Sequence, residues 1–194
     1  MNTIEWQSNF GATEDAAITQ DKGILLDFYN PDSLTCRQME KDTYAQEKII
    51  HFISEHLLPF RVNMKEEAYF KDFNITWVPS IVFLDKYARE NHRSVGYLGP
   101  DDFIAIALLA LGKIYSNNKN FAAAQYHFDK VLKSYPHSQV AEEAMYYMGI
   151  NRYRETAAPM ELKAAADLLQ KEYPNSIWTR KAAPYRYVTE DQTV

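Results

Sequence analysis

Cys36 is the one thiol in this 194-residue chain, and it stands three residues after Ser33. The pair follows an apolar run, Ile24-Leu25-Leu26-Asp27-Phe28-Tyr29, and the stretch Asn30-Pro31-Asp32. A short apolar run closed by a proline-containing turn predicts a strand that hands over to a helix. Ser33 suits the helix N-cap, because its hydroxyl can accept backbone N–H bonds that the first turn leaves unsatisfied. A thiol in that first turn lies where free N–H groups and the helix dipole favour a thiolate. A free cysteine enclosed in a core behaves instead as a small hydrophobe. Both readings of Cys36 are open at this level. Asp32 adds a negative charge beside the helix start, which opposes a thiolate. A single thiol excludes an intramolecular disulfide and a zinc cluster, and His51, His56, His92, His127 and His137 share no metal-ligand spacing. There is no glycine-rich phosphate loop and no serine-centred nucleophile elbow. No metal and no cofactor are expected.

Composition narrows the classes further. The formal net charge is −5, and no run of basic residues supplies the surface that nucleic-acid phosphates require. Hydrophobic residues make up 46% and aromatic residues 14%, which is enough apolar surface for a packed core rather than disorder. Met1 to Asp15 has no basic flank leading into an apolar stretch, so no signal peptide is read and a cytoplasmic location is expected. The longest apolar run, Phe103 to Leu111, is far short of the roughly 20 residues that cross a bilayer.

Up to about residue 100 the chain alternates strand and helix signals, which predicts an α/β layer architecture. Strands are expected at Ile24–Tyr29, Pro59–Met64, Val78–Leu84 and, at an edge, Arg93–Tyr97. A helix is expected from Ser33 to about Leu57, with a kink, and a short one at Lys65–Phe73. From about residue 101 every segment reads as helix. One uninterrupted helix, about Asp101–Ser116, is expected to serve both halves and to dock the second rigidly on the first, because no Gly/Ser/Pro linker separates them. The expected divisions are 1–112, 101–184 and a tail at 185–194.

The helical half repeats itself. Leu132-Lys133-Ser134-Tyr135-Pro136-His137-Ser138 recurs as Gln170-Lys171-Glu172-Tyr173-Pro174-Asn175-Ser176, about 38 residues later. Leu108, Leu111, Gly112 and Tyr115 lead to Ala124, Phe128 and Pro136. This spacing resembles a tetratricopeptide repeat, with Leu108 where that family prefers tryptophan. Met145, Met148, Gly149, Arg152, Ala165, Leu169 and Pro174 form a second unit whose spacing slips around Thr156–Met160. Gly112 and Ala124 are expected to let two antiparallel helices approach, with Tyr115 and Phe128 between them. The resemblance implies a face that holds a peptide or a partner subunit, with Tyr115, Tyr146 and Arg152 as candidate contacts. Stacked repeats usually need three or more units. An exposed end that supports a homo-oligomer is therefore also expected.

Asp27-Phe28-Tyr29, then Cys36 with Arg37-Gln38-Met39-Glu40, then Trp77-Val78-Pro79-Ser80 before Ile81–Asp85, and finally Gly96, together resemble a thioredoxin-like protein over about residues 3 to 112. The resemblance implies a mixed sheet flanked by helices and a Cys-x-x-Cys pair whose first position is Ser33 here. It implies that Pro79 is cis and that Trp77, Val78 and Pro79 hold a substrate chain. It also implies that Asp27 is the buried carboxylate able to assist deprotonation of the second thiol. An alcohol does not exchange with disulfides. The expectation is therefore an adaptor for a protein or peptide partner that lacks dithiol exchange. The competing expectation is a single-cysteine oxidoreductase or redox-responsive protein acting through Cys36.

Overall fold

A computed structural model describes residues 3–190. The chain divides into two compact units between Ile104 and Ala105. The division falls inside a helix that runs unbroken from Pro100 to Asn117.

The first unit holds a four-stranded mixed sheet. Its strands are β1 (Gly23–Tyr29), β2 (Leu57–Asn63), β3 (Ser80–Leu84) and β4 (Glu90–Val95), in the order β2-β1-β3-β4. β1 runs parallel to β2 and antiparallel to β3, and β3 is antiparallel to β4. Ile24, Leu25 and Leu26 are all buried, as expected for a central strand covered on both faces. Pro59 lies on the outer strand β2. It needs no ladder partner for a missing N–H, and its carbonyl accepts the Gln7 amide at 2.8 Å.

Helix α1 (Phe10–Gln20) has no counterpart among the expected elements. Asn9 caps it by accepting the Ala12 amide at 2.9 Å. Thr13 and Ala17 turn inward at i and i+4, and the Phe10 ring centroid lies 5.3 Å from that of Phe60.

The expected long helix from Ser33 is three pieces. Helix α2 (Leu34–Met39) passes into a π turn (Glu40–Tyr44), and α3 (Glu47–His56) restarts after Gln46 in an extended conformation. No proline or glycine forces the break. Packing does: Thr43 Oγ1 donates to Leu98 O at 2.6 Å, and the Tyr44 ring meets Trp6 and Phe103 edge-on. Helix α4 spans Glu67–Asp72. Strand β4 ends at Val95 rather than Tyr97, because Gly96 takes φ 101° and leaves the extended region.

The second unit is helical. It contains α5 (Pro100–Asn117) from Ala105 onward, α6 (Phe121–Ser134), α7 (Ala141–Thr156), α8 (Met160–Glu172) and α9 (Ile177–Ala182), then a 3-10 turn at Ala183–Tyr187. The 38-residue recurrence has a backbone counterpart. Tyr135 ends α6 at φ −133°, ψ 48°, and Tyr173 ends α8 at φ −135°, ψ 59°. Glycine sets the helix spacing in each hairpin. A Cβ on Gly112 would stand 2.5 Å from the Phe128 ring, and one on Gly149 would stand 2.3 Å from Ala165 Cβ. Tyr173 Oη donates to Pro136 O at 3.1 Å, tying one hairpin to the next. The 3-10 turn packs Tyr185 onto α7, while 191–194 lie outside the described residues.

Candidate functional site

Ser33 stands in the N-cap of α2, just past the C-terminal end of β1. Its Oγ accepts the Cys36 amide at 3.4 Å and lies 3.0 Å from Thr35 Oγ1. The preceding turn is self-fastened. Asn30 Oδ1 accepts the Asp32 amide at 3.0 Å, and Arg37 Nη1 donates back to Asp32 O at 3.0 Å and Pro31 O at 3.3 Å. Cys36 is a free thiol that is only 5% exposed. Met39, one turn further on, shares the buried face.

Asp27 faces Arg61 directly across the β1–β2 register. Arg61 Nε donates to Asp27 Oδ2 at 2.9 Å, and its Nη2 donates to Glu40 Oε2 at 2.6 Å. The guanidinium lies 4.2 Å from the Tyr29 ring centroid, 4.8 Å from Trp6 and 5.7 Å from Tyr44. Burial pushes the Asp27 carboxyl up to about 6, against the opposing charge and hydrogen bond of Arg61; Glu40 adds to the rise. The two partners respond unequally. Asp27 is fully enclosed, whereas the Arg61 side chain keeps 18% exposure and meets two carboxylates. Burial works against the charged guanidinium, but Asp27 and Glu40 hold its pKa above the usual value. Burial, and then the Asp27 charge, push the Tyr44 hydroxyl up. Asp27 Oδ1 and Tyr44 Oη each lack a partner at full hydrogen-bond geometry, yet the hydroxyl is near enough to act on the carboxyl's proton affinity. A cleft of about 800 Å³ opens beside this cluster, lined by Ile4, Trp6, Tyr44 and Ile50 among others.

The Val78–Pro79 peptide is cis. Pro79 is buried, and its carbonyl accepts the Gly96 amide at 2.8 Å. Trp77 O accepts Ser80 Oγ at 2.8 Å. The registers pair Tyr29 with Asn63, Phe28 with Ser80, and Ser80 with Val95. One end of the sheet therefore gathers the end of β1, the end of β2, the start of β3 and the end of β4. Leu34, Met64, Trp77, Val95 and Tyr97 follow or flank those four points, and all five are 41–72% exposed.

The fold thus brings Ser33, Cys36, Trp77, Val78 and Pro79 to one end of the sheet. Asp27 sits two residues back along β1, held by Arg61. Leu34, Met64, Val95 and Tyr97 were not among the sequence candidates, nor was Arg61. A charged residue inside the apolar run Leu57–Val62 was the available signal for Arg61.

The helical candidates are tied to their own chain. The Tyr115 ring lies 5.0 Å from that of His127 on α6, tilted by 31°. Tyr146 lies 5.1 Å from Trp178 and 3.5 Å, hydroxyl to hydroxyl, from Tyr185. Arg152 Nη1 stands 3.9 Å from Glu161 on α8. Among the described residues, no group of three or more His, Cys, Asp or Glu side chains could hold a metal, and no helix is long and apolar enough to cross a membrane.

A model of the thioredoxin-like domain matches residues 10–110, and a tetratricopeptide-repeat model matches residues 106–138. The chain is 26% identical over 98 residues to the thiol:disulfide interchange protein DsbD of Actinobacillus pleuropneumoniae serotype 5b (strain L20). That alignment covers 47% of this chain and 17% of the relative, so the chain spans under a fifth of the relative's length. A solved DsbH oxidoreductase superposes with a TM-score of 0.52 at 20% identity, covering 56% of this chain and 85% of that one. A thioredoxin-fold protein from Helicobacter pylori gives 0.46 at 20% identity, covering 57% and 86%.

Proposed function

The chain belongs to the thioredoxin-like domain family, and from that premise we propose that it is a protein-binding member without dithiol exchange, joined to a short repeat module that binds a partner. The observation that carries this reading is the start of α2. The hydroxyl of Ser33, which we place at the attacking position, caps the helix, and the one thiol behind it is buried. Disulfide exchange needs a thiolate that can reach a sulfur in line. A serine hydroxyl has a far higher pKa and forms no mixed disulfide. Asp27 is engaged by Arg61, which Glu40 also meets, so its charge is already matched. What remains at the sheet end is a binding surface. Exposed Leu34, Met64, Trp77, Val95 and Tyr97 lie at the same end of the sheet as the cis-Pro79 loop, and exposed apolar groups gathered at one end mark interaction sites.

A second reading has support of its own. The relative aligned with about half of this chain is named a thiol:disulfide interchange protein. After local opening of α2, the Cys36 thiolate would then attack a disulfide of a partner or of oxidised glutathione, forming a mixed disulfide and releasing the other sulfur as a thiol. Insulin reduction by dithiothreitol separates the two. The binding reading expects background turnover from wild type and from Cys36→Ser alike; robust turnover lost in Cys36→Ser would overturn it.

A further inference from the structure

The N-terminal segment, the π turn, the start of α3 and β2 together enclose the cleft of about 800 Å³, all within the first unit. Small molecules occupy pockets of about 300–1,000 Å³. The walls carry two kinds of chemistry. Ile4, Trp6 and Ile50 supply apolar surface, and each is half-buried. Glu40, Glu47 and Arg61 supply charge. Glu47 and Ile50 stand at i and i+3 of α3, so one face of that helix presents both.

The charges do not cancel. Arg61 is already engaged, its Nε with Asp27 and its Nη2 with Glu40. At neutral pH three carboxylates, those of Asp27, Glu40 and Glu47, share one guanidinium. Glu40 keeps 53% of its side chain exposed, and Glu47 is exposed with no ion-pair partner among the described residues. The surroundings have the same sign. Residues 3–104 carry 10 Lys and Arg against 17 Asp and Glu.

We propose that this cleft binds a small organic cation, an amine carried on an apolar or aromatic body. The amine meets Glu47 and Glu40 at the charged side. The body packs on Ile4, Ile50 and Trp6, where apolar burial and the attraction of a cation to an indole ring act together. An anion fits poorly, because Arg61 already faces two carboxylates and Glu47 repels it. An inorganic cation lacks ligands, since no group of three or more His, Cys, Asp or Glu side chains could hold a metal among the described residues. A neutral ligand covers the carboxylates with no counter-charge, which costs their hydration. The site goes beyond the binding surface at the sheet end and does not involve Cys36.

The test uses the full chain and three probes of similar size: phenethylamine, 2-phenylethanol and 3-phenylpropionate, which are cationic, neutral and anionic at neutral pH. Binding is read by calorimetry and by the indole N–H resonances of Trp6, Trp77 and Trp178. Trp6 lines this cleft, Trp77 lies at the sheet end and Trp178 is on α9. Phenethylamine should bind at least about tenfold more tightly than either other probe, and salt should narrow the gap. Only the Trp6 resonance should move. Glu47→Gln should weaken the amine about threefold, as expected for one exposed charge pair, and Glu47→Lys more than about tenfold, both with the circular dichroism of wild type. Glu155→Gln, at an exposed carboxylate of the other unit, should bind as wild type does, which separates the cleft from a general charge effect. Cys36→Ser should also bind as wild type does, which keeps this outcome independent of the insulin assay. No binding of the amine, equal or tighter binding of the alcohol or the anion, or movement of the Trp77 or Trp178 resonance in place of Trp6 overturns the inference. An end-blocked Lys-Phe-Lys peptide that binds more than about tenfold more tightly than the amine also overturns it, because the occupant is then a protein partner.

Discussion

Arg61 Nε stands 2.9 Å from Asp27 Oδ2, and the same guanidinium is flanked by the rings of Trp6 and Tyr29. A buried carboxylate is thereby matched by a cation whose apolar faces are also covered. The arrangement joins β1, β2, the π turn through Glu40 and the N-terminal segment through Trp6. Removing one member of a buried pair leaves the other charge uncompensated, which costs about 3–5 kcal/mol. Arg61→Ala should therefore lower unfolding stability by about that amount in urea titrations. Arg61→Lys should fall between, because it keeps the charge but loses the planar fork and the stacking. A loss below about 1 kcal/mol in Arg61→Ala would mean that the cluster does not hold the sheet to the π turn.

The Asp27 carboxyl gives a pH signature with a definite sign. Its ordinary value of 3.8 is raised to about 6 by burial, so the folded state binds the proton more tightly than the unfolded state. Stability from this group is present below about pH 4 and is lost as pH rises through about 6. The difference corresponds to about 3 kcal/mol. The stability of Asp27→Asn minus that of wild type should therefore move in the variant's favour by up to that amount between pH 4 and 7. A difference that stays flat across this window would place the carboxyl at its ordinary value.

Ser33→Cys tests how much of the exchange machinery the scaffold retains. The introduced thiol would sit at the N-cap, where it can attack a disulfide as thiolate and form a mixed disulfide. Cys36 would then attack that bond, releasing the substrate thiol and leaving a disulfide between its own sulfur and the introduced one, for dithiothreitol to reduce. Insulin reduction should rise at least about tenfold over wild type and return to background in Ser33→Cys/Cys36→Ser. Asp32 at the helix start should hold the rate below that of Ser33→Cys/Asp32→Asn, since it opposes the thiolate.

The two hairpin glycines should respond to alanine in the same direction and by different amounts. Glycine to alanine inside a helix ordinarily gains about 1 kcal/mol. Here the added Cβ meets the Phe128 ring at 2.5 Å or Ala165 Cβ at 2.3 Å. Overpacking of this kind costs about 1–3 kcal/mol. Both variants should melt lower than wild type. Gly149→Ala should be the worse, because Ala165 has no side-chain torsion with which to move away. Gly149→Ala/Ala165→Gly should recover part of the loss; no recovery would locate the strain elsewhere.

The run Ile24–Tyr29, the Ser33 cap and the Tyr-Pro recurrence at residues 135 and 173 were readable because each rests on local chemistry. Apolar length, a capping hydroxyl and proline's missing N–H act within a few residues. Locally the helix after Ser33 reads as one kinked element because its π turn has no local cause; Thr43 and Tyr44 are drawn inward by Leu98, Trp6 and Phe103. Helix α1 escaped because its buried stripe is only Thr13 and Ala17, too weakly apolar to declare a face. Local sequence extends β4 two residues too far because Gly96 can continue a strand or leave it, and the choice depends on its bond to Pro79 O.

The sequence by itself settled the α/β-then-helical order, the position of the single thiol and the serine that precedes it. These are properties of residue type and spacing. Only the tertiary structure decided that Cys36 is enclosed, that Asp27 is matched by Arg61 thirty-four residues away, and that five exposed apolar residues share one end of the sheet with the cis-Pro79 loop. Strand register and side-chain burial made those decisions. Both arise from pairing between distant segments, whose free energy no local window contains.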